Sequence, residues 1–338
     1  MGSKTGESRS ICEWIEKDWT MTLPNPLPLS STGSYFQLRQ ATLGYHLNGT
    51  KPTLPLDTIP LYIPPVSNAI HGKHSKHSKA KNSALHCTTG ITPMESTVDF
   101  KVILNDLTVD IEANTKIGLV GRNGCGKSTL LKIIDEYDNS GSSSSSSSDT
   151  TTTSTSSSSP SVGRGSIFKA NHLRVAYYQQ HQQDSLPYET TPLNYLTELS
   201  TKGSNPALGY VEQTIRSHLA SFGIGGELIN RPIGTLSGGQ KSRLVLAELT
   251  FTKPHVLLLD EPTNNLDLDA VTALTNALKA FNGAYIIASH DITFIQDTCE
   301  VHYHIVKGAF NRLENGVDEY VQYVKNNVKN TKNKKIEK

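Results

Sequence analysis

From residue 36 to 45 apolar and polar residues alternate, Phe36-Gln-Leu-Arg-Gln-Ala-Thr-Leu-Gly-Tyr45, the period-two pattern of a half-buried strand. Residues 103–111 repeat that alternation, and 116–120 form a short apolar run that ends in a glycine turn. Residues 128–136 read as a helix instead. Residues 173–178 read as a strand, and 210–222 and 238–249 as helices. Residues 256–259 and 284–288 are unbroken apolar runs of strand length, which is what parallel strands covered on both faces require. Strands alternating with helices predict an α/β sheet.

Two stretches interrupt this pattern. Residues 142–160 are almost entirely Ser and Thr, too polar to offset the entropy of ordering, so an unpacked insertion whose removal is tolerated is expected there. Residues 50–97 mix prolines with a Lys/His run, 71–81, in which His71, His74 and His77 recur every three residues. Metal or RNA binding by that run is possible on composition, and a solvated insertion is the simpler reading. The end of the chain, 325–338, is rich in Asn and Lys and reads as a solvated tail that offers lysines to phosphates. These interruptions account for a hydrophobic content of only 36% in 338 residues.

Composition then excludes some classes. Lys+Arg number 32 and Asp+Glu 31, so bulk charge does not mark a nucleic-acid binder. Cys12, Cys87, Cys125 and Cys299 are widely spaced, which gives no zinc or redox pair and favours a reducing compartment. No apolar run approaches the ~20 residues of a membrane span, and residues 1–7 lack a signal-peptide core. A soluble, cytoplasmic protein is expected.

Three motifs carry chemistry. Gly121-Arg-Asn-Gly-Cys-Gly-Lys-Ser128 follows a predicted strand and opens a predicted helix. In that context glycines let backbone N–H groups and the helix N-terminus converge on phosphate oxygens. Gly121, Asn123, Gly124, Cys125, Gly126, Lys127, Ser128 and Thr129 are the nucleotide-binding candidates, with Lys127 on the β/γ-phosphates and Ser128 on Mg²⁺. Val256-Leu-Leu-Leu-Asp-Glu261 is a buried strand ending in two carboxylates, Asp260 to hold hydrated Mg²⁺ and Glu261 to polarise a water as general base. Leu236-Ser-Gly-Gly-Gln240 opens a helix with bare donors on Ser237, Gly238 and Gly239. A chain with its own phosphate loop has no use for a second cradle, so this one is expected to cap a phosphate held by another domain.

With these motifs the chain resembles the ATP-binding-cassette (ABC) ATPases over 31–48 and 98–325. The resemblance implies a P-loop nucleotide-binding domain with a parallel-sheet core, an antiparallel β subdomain near the N-terminus and a helical signature subdomain around 190–231. It implies further roles. Gln180 is similar to the Q-loop glutamine that touches Mg²⁺ and the water, His290 to the switch histidine, Asp267 to the D-loop aspartate, and Tyr45 to the aromatic that stacks on adenine. Ser237, Gly238, Gly239 and Gln240 correspond to the signature that acts in trans. The segments Leu236-Ser-Gly-Gly-Gln-Lys-Ser-Arg243, Asp260-Glu-Pro-Thr-Asn-Asn-Leu-Asp267 and Gln180-His181 resemble the ABC-F branch, specifically its second cassette. Residues 23–30 are similar to the linker leading into it. Asn265 stands where that branch usually has a D-loop histidine, and one cassette is present where two are usual.

The implied organisation is a linker over 1–30, a cassette over 31–325 with insertions at about 50–97 and 140–162, and a tail over 326–338. The implied function is ATP hydrolysis with Mg²⁺, the nucleotide sandwiched between this cassette and a second one, acting on ribosomes or translation. The competing readings are the ATPase subunit of a membrane transporter and a nucleotide-binding switch with little turnover.

Overall fold

The computed structural model describes residues 20–27, 29, 33–46, 100–137, 160–202 and 212–336. The expectations for residues 1–19, the insertion at 50–97 with its Lys/His run, and the Ser/Thr tract up to 159 lie outside the described residues.

A nine-stranded mixed sheet runs through the molecule. Its centre is parallel: β3 (Lys116–Gly121) lies between β8 (Val301–Val306) and β7 (Ala284–Ala288), followed by β6 (Val256–Asp260) and β5 (Val175–Tyr178). Every residue of β6 and β7 is buried, as their unbroken apolar runs demand. Alternate side chains feed opposite layers. Leu257 and Leu259 enter one core cluster, and Val256 and Leu258 enter the other.

The first cluster is covered by four helices, α3 (Glu212–Ser221), α4 (Gly238–Phe251), α5 (Leu268–Ala280) and α6 (Ile292–Thr298). The second is covered by α1 (Lys127–Glu136) and an antiparallel ribbon of β4 (Pro160–Lys169), β1 (Phe36–His46) and β2 (Phe100–Ile111). Helix α2 (Pro192–Lys202) packs with α3 in a helical subdomain. Strand β9 (Ala309–Arg312) closes a hairpin with β8 and joins the ribbon to the parallel core.

Three boundaries differ from the sequence expectation. Residues 160–162, placed in the second insertion, begin β4, where Pro160, Ser161 and Val162 pair with Tyr45, Gly44 and Leu43. Strand pairing there comes from the partner strand, so local composition does not show it. Residues 326–336, expected as a solvated tail, continue helix α7 (Val317–Ile336). Val317 and Tyr320 anchor its first turns to the core, and His304 lies edge-on to Tyr320 and Tyr323, each 4.8 Å away. Once a helix is nucleated by packing, each further residue adds a bond at little cost. Lastly, the described part of the approach segment packs on the cassette. Met21 and Leu23 are buried in the first cluster, Asn25 Oδ1 accepts from the Asn282 amide at 3.1 Å, and the Leu27 carbonyl lies 3.0 Å from His255 Nε2.

Candidate active site

Four of the parallel strands lead to candidate residues at one end. β3 runs into the phosphate loop at Gly121, β6 ends at Asp260 with Glu261 next, β7 is followed by Ser289 and His290, and β5 is followed by Gln179 and Gln180. Open α/β sheets bind ligands outside the carboxyl ends of their strands. A cavity of about 280 Å³ opens there. Asn123, Gly124, Gly126, Lys127, Ser128 and Thr129 line it from the phosphate loop and first turn of α1, and Gln180, Asp260 and Glu261 line it from the strand ends. Ile103 of β2 adds an apolar wall.

The loop's shape follows from its glycines. Gly124 has φ +76° and Gly126, the residue before α1, has φ +112°. A side chain at Gly126 would meet Ile103 at 2.9 Å, so only glycine fits both the angle and the space. Lys127, Ser128 and Thr129 of the first turn of α1, where N–H groups lack intrahelical acceptors, line the cavity. Lys127 is buried, and its Nζ donates to the Gly121 carbonyl at 2.9 Å, which holds the ammonium over the loop.

Asp260 is buried. Burial pushes its carboxyl above the ordinary carboxylate value, opposed by a hydrogen bond from Ser128 and by Lys127. The Tyr177 hydroxyl donates to Asp260 Oδ2 at 3.4 Å, and burial first, then Asp260, pushes that phenol far up. A hydroxyl and a carboxylate side by side are hard oxygen donors of the kind Mg²⁺ takes, completed by phosphates and water. The residues therefore fit a magnesium ion held by Ser128 and Asp260, with Gln180 on the same cavity. Among the described residues no group of three or more His, Cys, Asp or Glu could hold a metal.

Glu261 is also buried, with an unusual backbone of φ +52°. Its Oε2 accepts from His290 Nδ1 at 2.7 Å and from the His290 amide and Ser289 hydroxyl at 3.3 Å. The bond through Nδ1 leaves Nε2 of His290 facing outward on a ring that is mostly exposed. The sequence expectation named Glu261 and His290 separately; their direct contact is a product of β6 and β7 being neighbours.

The other candidates sit around this centre. Tyr45 is half-buried on β1, and its hydroxyl is 3.2 Å from Thr129 Oγ1. Cys125 is half-buried and Gly121 buried behind the loop. The signature residues do not line the cavity. Ser237 is the N-cap of α4, its Oγ accepting from the Gln240 amide while Gln240 Oε1 accepts from the Ser237 amide. Ser237 and Gly238 are exposed. The Ser-x-x-Gln spacing of that capping box is legible in the sequence. Asp267 caps α5, accepting from the Ala270 amide at 2.8 Å. A side chain at Gly239 would stand 3.0 Å from the Asn265 carbonyl, so the signature turn and the loop before α5 touch within one chain. Nothing in the sequence signals that approach.

The "ABC transporter" family matches residues 104–264. The chain is 35% identical over 223 residues to Protein GCN20 of Saccharomyces cerevisiae, covering 66% of this chain and 26% of that protein. It is 38% identical over 212 residues to ABC transporter F family member 3 of Arabidopsis thaliana, covering 63% and 24%. It is 32% identical over 224 residues to the probable ATP-binding protein YheS of Escherichia coli strain K12, covering 66% and 31%. The chain thus spans about a quarter to a third of the length of these curated relatives. Among solved structures, its fold is similar to a dimeric post-hydrolysis state of the ATP-binding cassette MJ0796 bound to ADP and Pi. The TM-score is 0.51 at 16% identity, over 82% of this chain and 99% of that one.

Proposed function

Because this chain carries an ATP-binding-cassette ATPase domain related to ABC-F proteins, we propose that it hydrolyses ATP between its own phosphate loop and the signature turn of a second cassette. The observation that carries the reading is the convergence of Lys127, Asp260, Glu261 and Gln180 on one cavity at the strand ends, with His290 locked onto Glu261.

In this reading the loop amides and Lys127 bind the β- and γ-phosphates, and Ser128, Asp260 and Gln180 hold the magnesium site. A magnesium ion held there would supply positive charge against the phosphates. The Glu261 carboxylate accepts a proton from the attacking water. His290 orients that carboxylate through Nδ1 and turns its outer nitrogen toward the γ-phosphate. Tyr45 packs beside the base. Phosphoryl transfer asks a protein mainly for position and charge stabilisation, and side chains on rigid strand ends supply both. Asp267 and the Ser237-Gly238-Gly239 turn, exposed at Ser237 and Gly238, face the second cassette, either another copy of this chain or a different protein.

The finer proposal is a cytoplasmic protein acting on ribosomes. What supports it is likeness to ABC-F proteins and the Lys241-Ser242-Arg243 and Pro262–Asp267 segments. No helix among the described residues is long and apolar enough to cross a membrane. The test is gradient sedimentation of Glu261→Gln protein with ATP and a partner cassette. Co-migration with ribosomes is expected, weakening as salt rises. Migration with membranes would support the transporter-subunit reading instead, and light fractions only would reject the ribosome.

A further inference from the structure

Ser242 lies one turn beyond the signature turn in α4 and has no exposed surface. A buried hydroxyl without a partner costs ~1–3 kcal/mol, so such groups are found paired. The partner of Ser242 is distant in sequence. Its hydroxyl donates to Gln183 Oε1 at 3.1 Å, across 59 positions. Gln183 belongs to the single 3-10 turn Gln182–Ser185 that follows Gln180. That turn is tied internally. The Gln179 amide donates to Gln182 Oε1 at 3.2 Å, and the Ser185 hydroxyl donates to the Gln182 carbonyl at 2.7 Å. Gln180 therefore cannot shift far without carrying Gln183. At the other end, the capping box makes the first turn of α4 continuous with the helix body.

We propose that Ser242, acting through Gln183, is a positioning residue that fixes the loop carrying Gln180 to the helix carrying the Ser237-Gly238-Gly239 turn. The nucleotide cavity and the surface offered to a second cassette then move as one unit, and engagement of Gln180 sets the pose of the signature turn. The inference rests on the ATPase reading and gives a role to Gln183, outside the motifs, and to Ser242, to which the motif containing it gave none. Gln183 is half-buried, so it tolerates substitution better than the sealed Ser242.

The experiment compares Gln183→Leu, Gln183→Glu, Ser242→Ala and the Ser242→Ala/Gln183→Leu double variant. Phosphate release gives kcat and KM, and hydrogen exchange follows the amides of 238–241 with and without Mg·ATP. Losing one hydrogen bond used in reaching the closed state should lower kcat by about tenfold and leave KM within about twofold. Gln183→Glu keeps an acceptor oxygen and should restore kcat, and the double variant should be no slower than the slower single one. Mg·ATP should slow exchange at 238–241 in wild type and in Gln183→Glu but not in Gln183→Leu. Unchanged kcat in Gln183→Leu, equal losses in the Leu and Glu variants, or multiplying losses in the double variant would each overturn the proposal. If wild type binds ATP without turnover, the ATPase reading fails separately. The exchange measurement still decides on the coupling, and equal protection in wild type and Gln183→Leu overturns it.

Discussion

Glu261 occupies a left-handed backbone conformation at φ +52°, which costs a residue with a Cβ about 1 kcal/mol. The strain sits where the carboxylate must leave the line of β6 and turn toward Ser289 and His290, and its amide is held by the Ala288 carbonyl at 2.8 Å. Strain of this kind persists at sites where geometry matters more than stability. Glu261→Gln keeps the shape and the hydrogen bond from the His290 amide while removing the proposed base. It should bind ATP with affinity close to wild type and release phosphate at least ~100-fold more slowly, measured by equilibrium binding and by a phosphate-release assay. The candidates that line the cavity could be picked out in sequence because each lies in a short contiguous motif. Gln183 with Ser242, and Gly239 with Asn265, were not, since their contacts join distant segments and use ordinary residue types.

At the scale of elements, the approach segment is held by a histidine with a fixed tautomer. His255 Nδ1 accepts from the Arg174 amide at 3.0 Å, so Nε2 carries the proton donated to Leu27. Burial lowers its pKa below the ordinary 6.5, with Arg174 adding to the effect. His218, His302 and His304 are lowered by burial too. The folded chain then binds fewer protons than the unfolded chain, so this stability is complete above about pH 6.5 and is lost as pH falls below it. Melting temperature should drop between pH 7.5 and 5.5, and drop less in His255→Gln, which should already melt lower at pH 7.5. Parallel curves for the two proteins would remove His255 from that account.

The Ser/Thr tract makes a second prediction at this scale. Lys169, at the end of β4, donates to the Tyr137 carbonyl just after α1. The tract reconnects to Pro160 at the other end of β4, about 30 Å along the strand. Deleting 142–159 leaves 138–141, which reach only about 18 Å. The deletion should therefore lower the melting temperature by several degrees, contrary to the expectation from composition, while a Gly/Ser replacement of equal length should leave it within about 2 °C. Sequence pattern located β3, β5, β6 and β7 of the parallel core and helices α1, α3 and α4, whose apolar runs or spacing are clear. It missed β4, β8, β9, α5, α6 and the course of α7, whose placement depends on neighbours.

For the whole molecule, Ser237 and Gly238 are exposed and lie outside the chain's own cavity, so the proposed hydrolysis calls for a second cassette. With ATP and Mg²⁺, Glu261→Gln protein should gain mass by light scattering, alone or with a partner cassette, and return to the lighter species when ATP is removed. The α/β class and the three subdomains were legible in the sequence. The docking of residues 20–27 beneath β6 and β7 was not, because it depends on His255 and Asn282 meeting a segment far away in the chain. All of these steps presuppose that the cavity at the strand ends holds ATP through Lys127. Calorimetric titration of Mg·ATP into wild type and Lys127→Ala tests this directly. Wild type should give a saturable isotherm, and Lys127→Ala should bind about 100-fold more weakly or not at all. Equal affinity in the two proteins would contradict the assignment of the site.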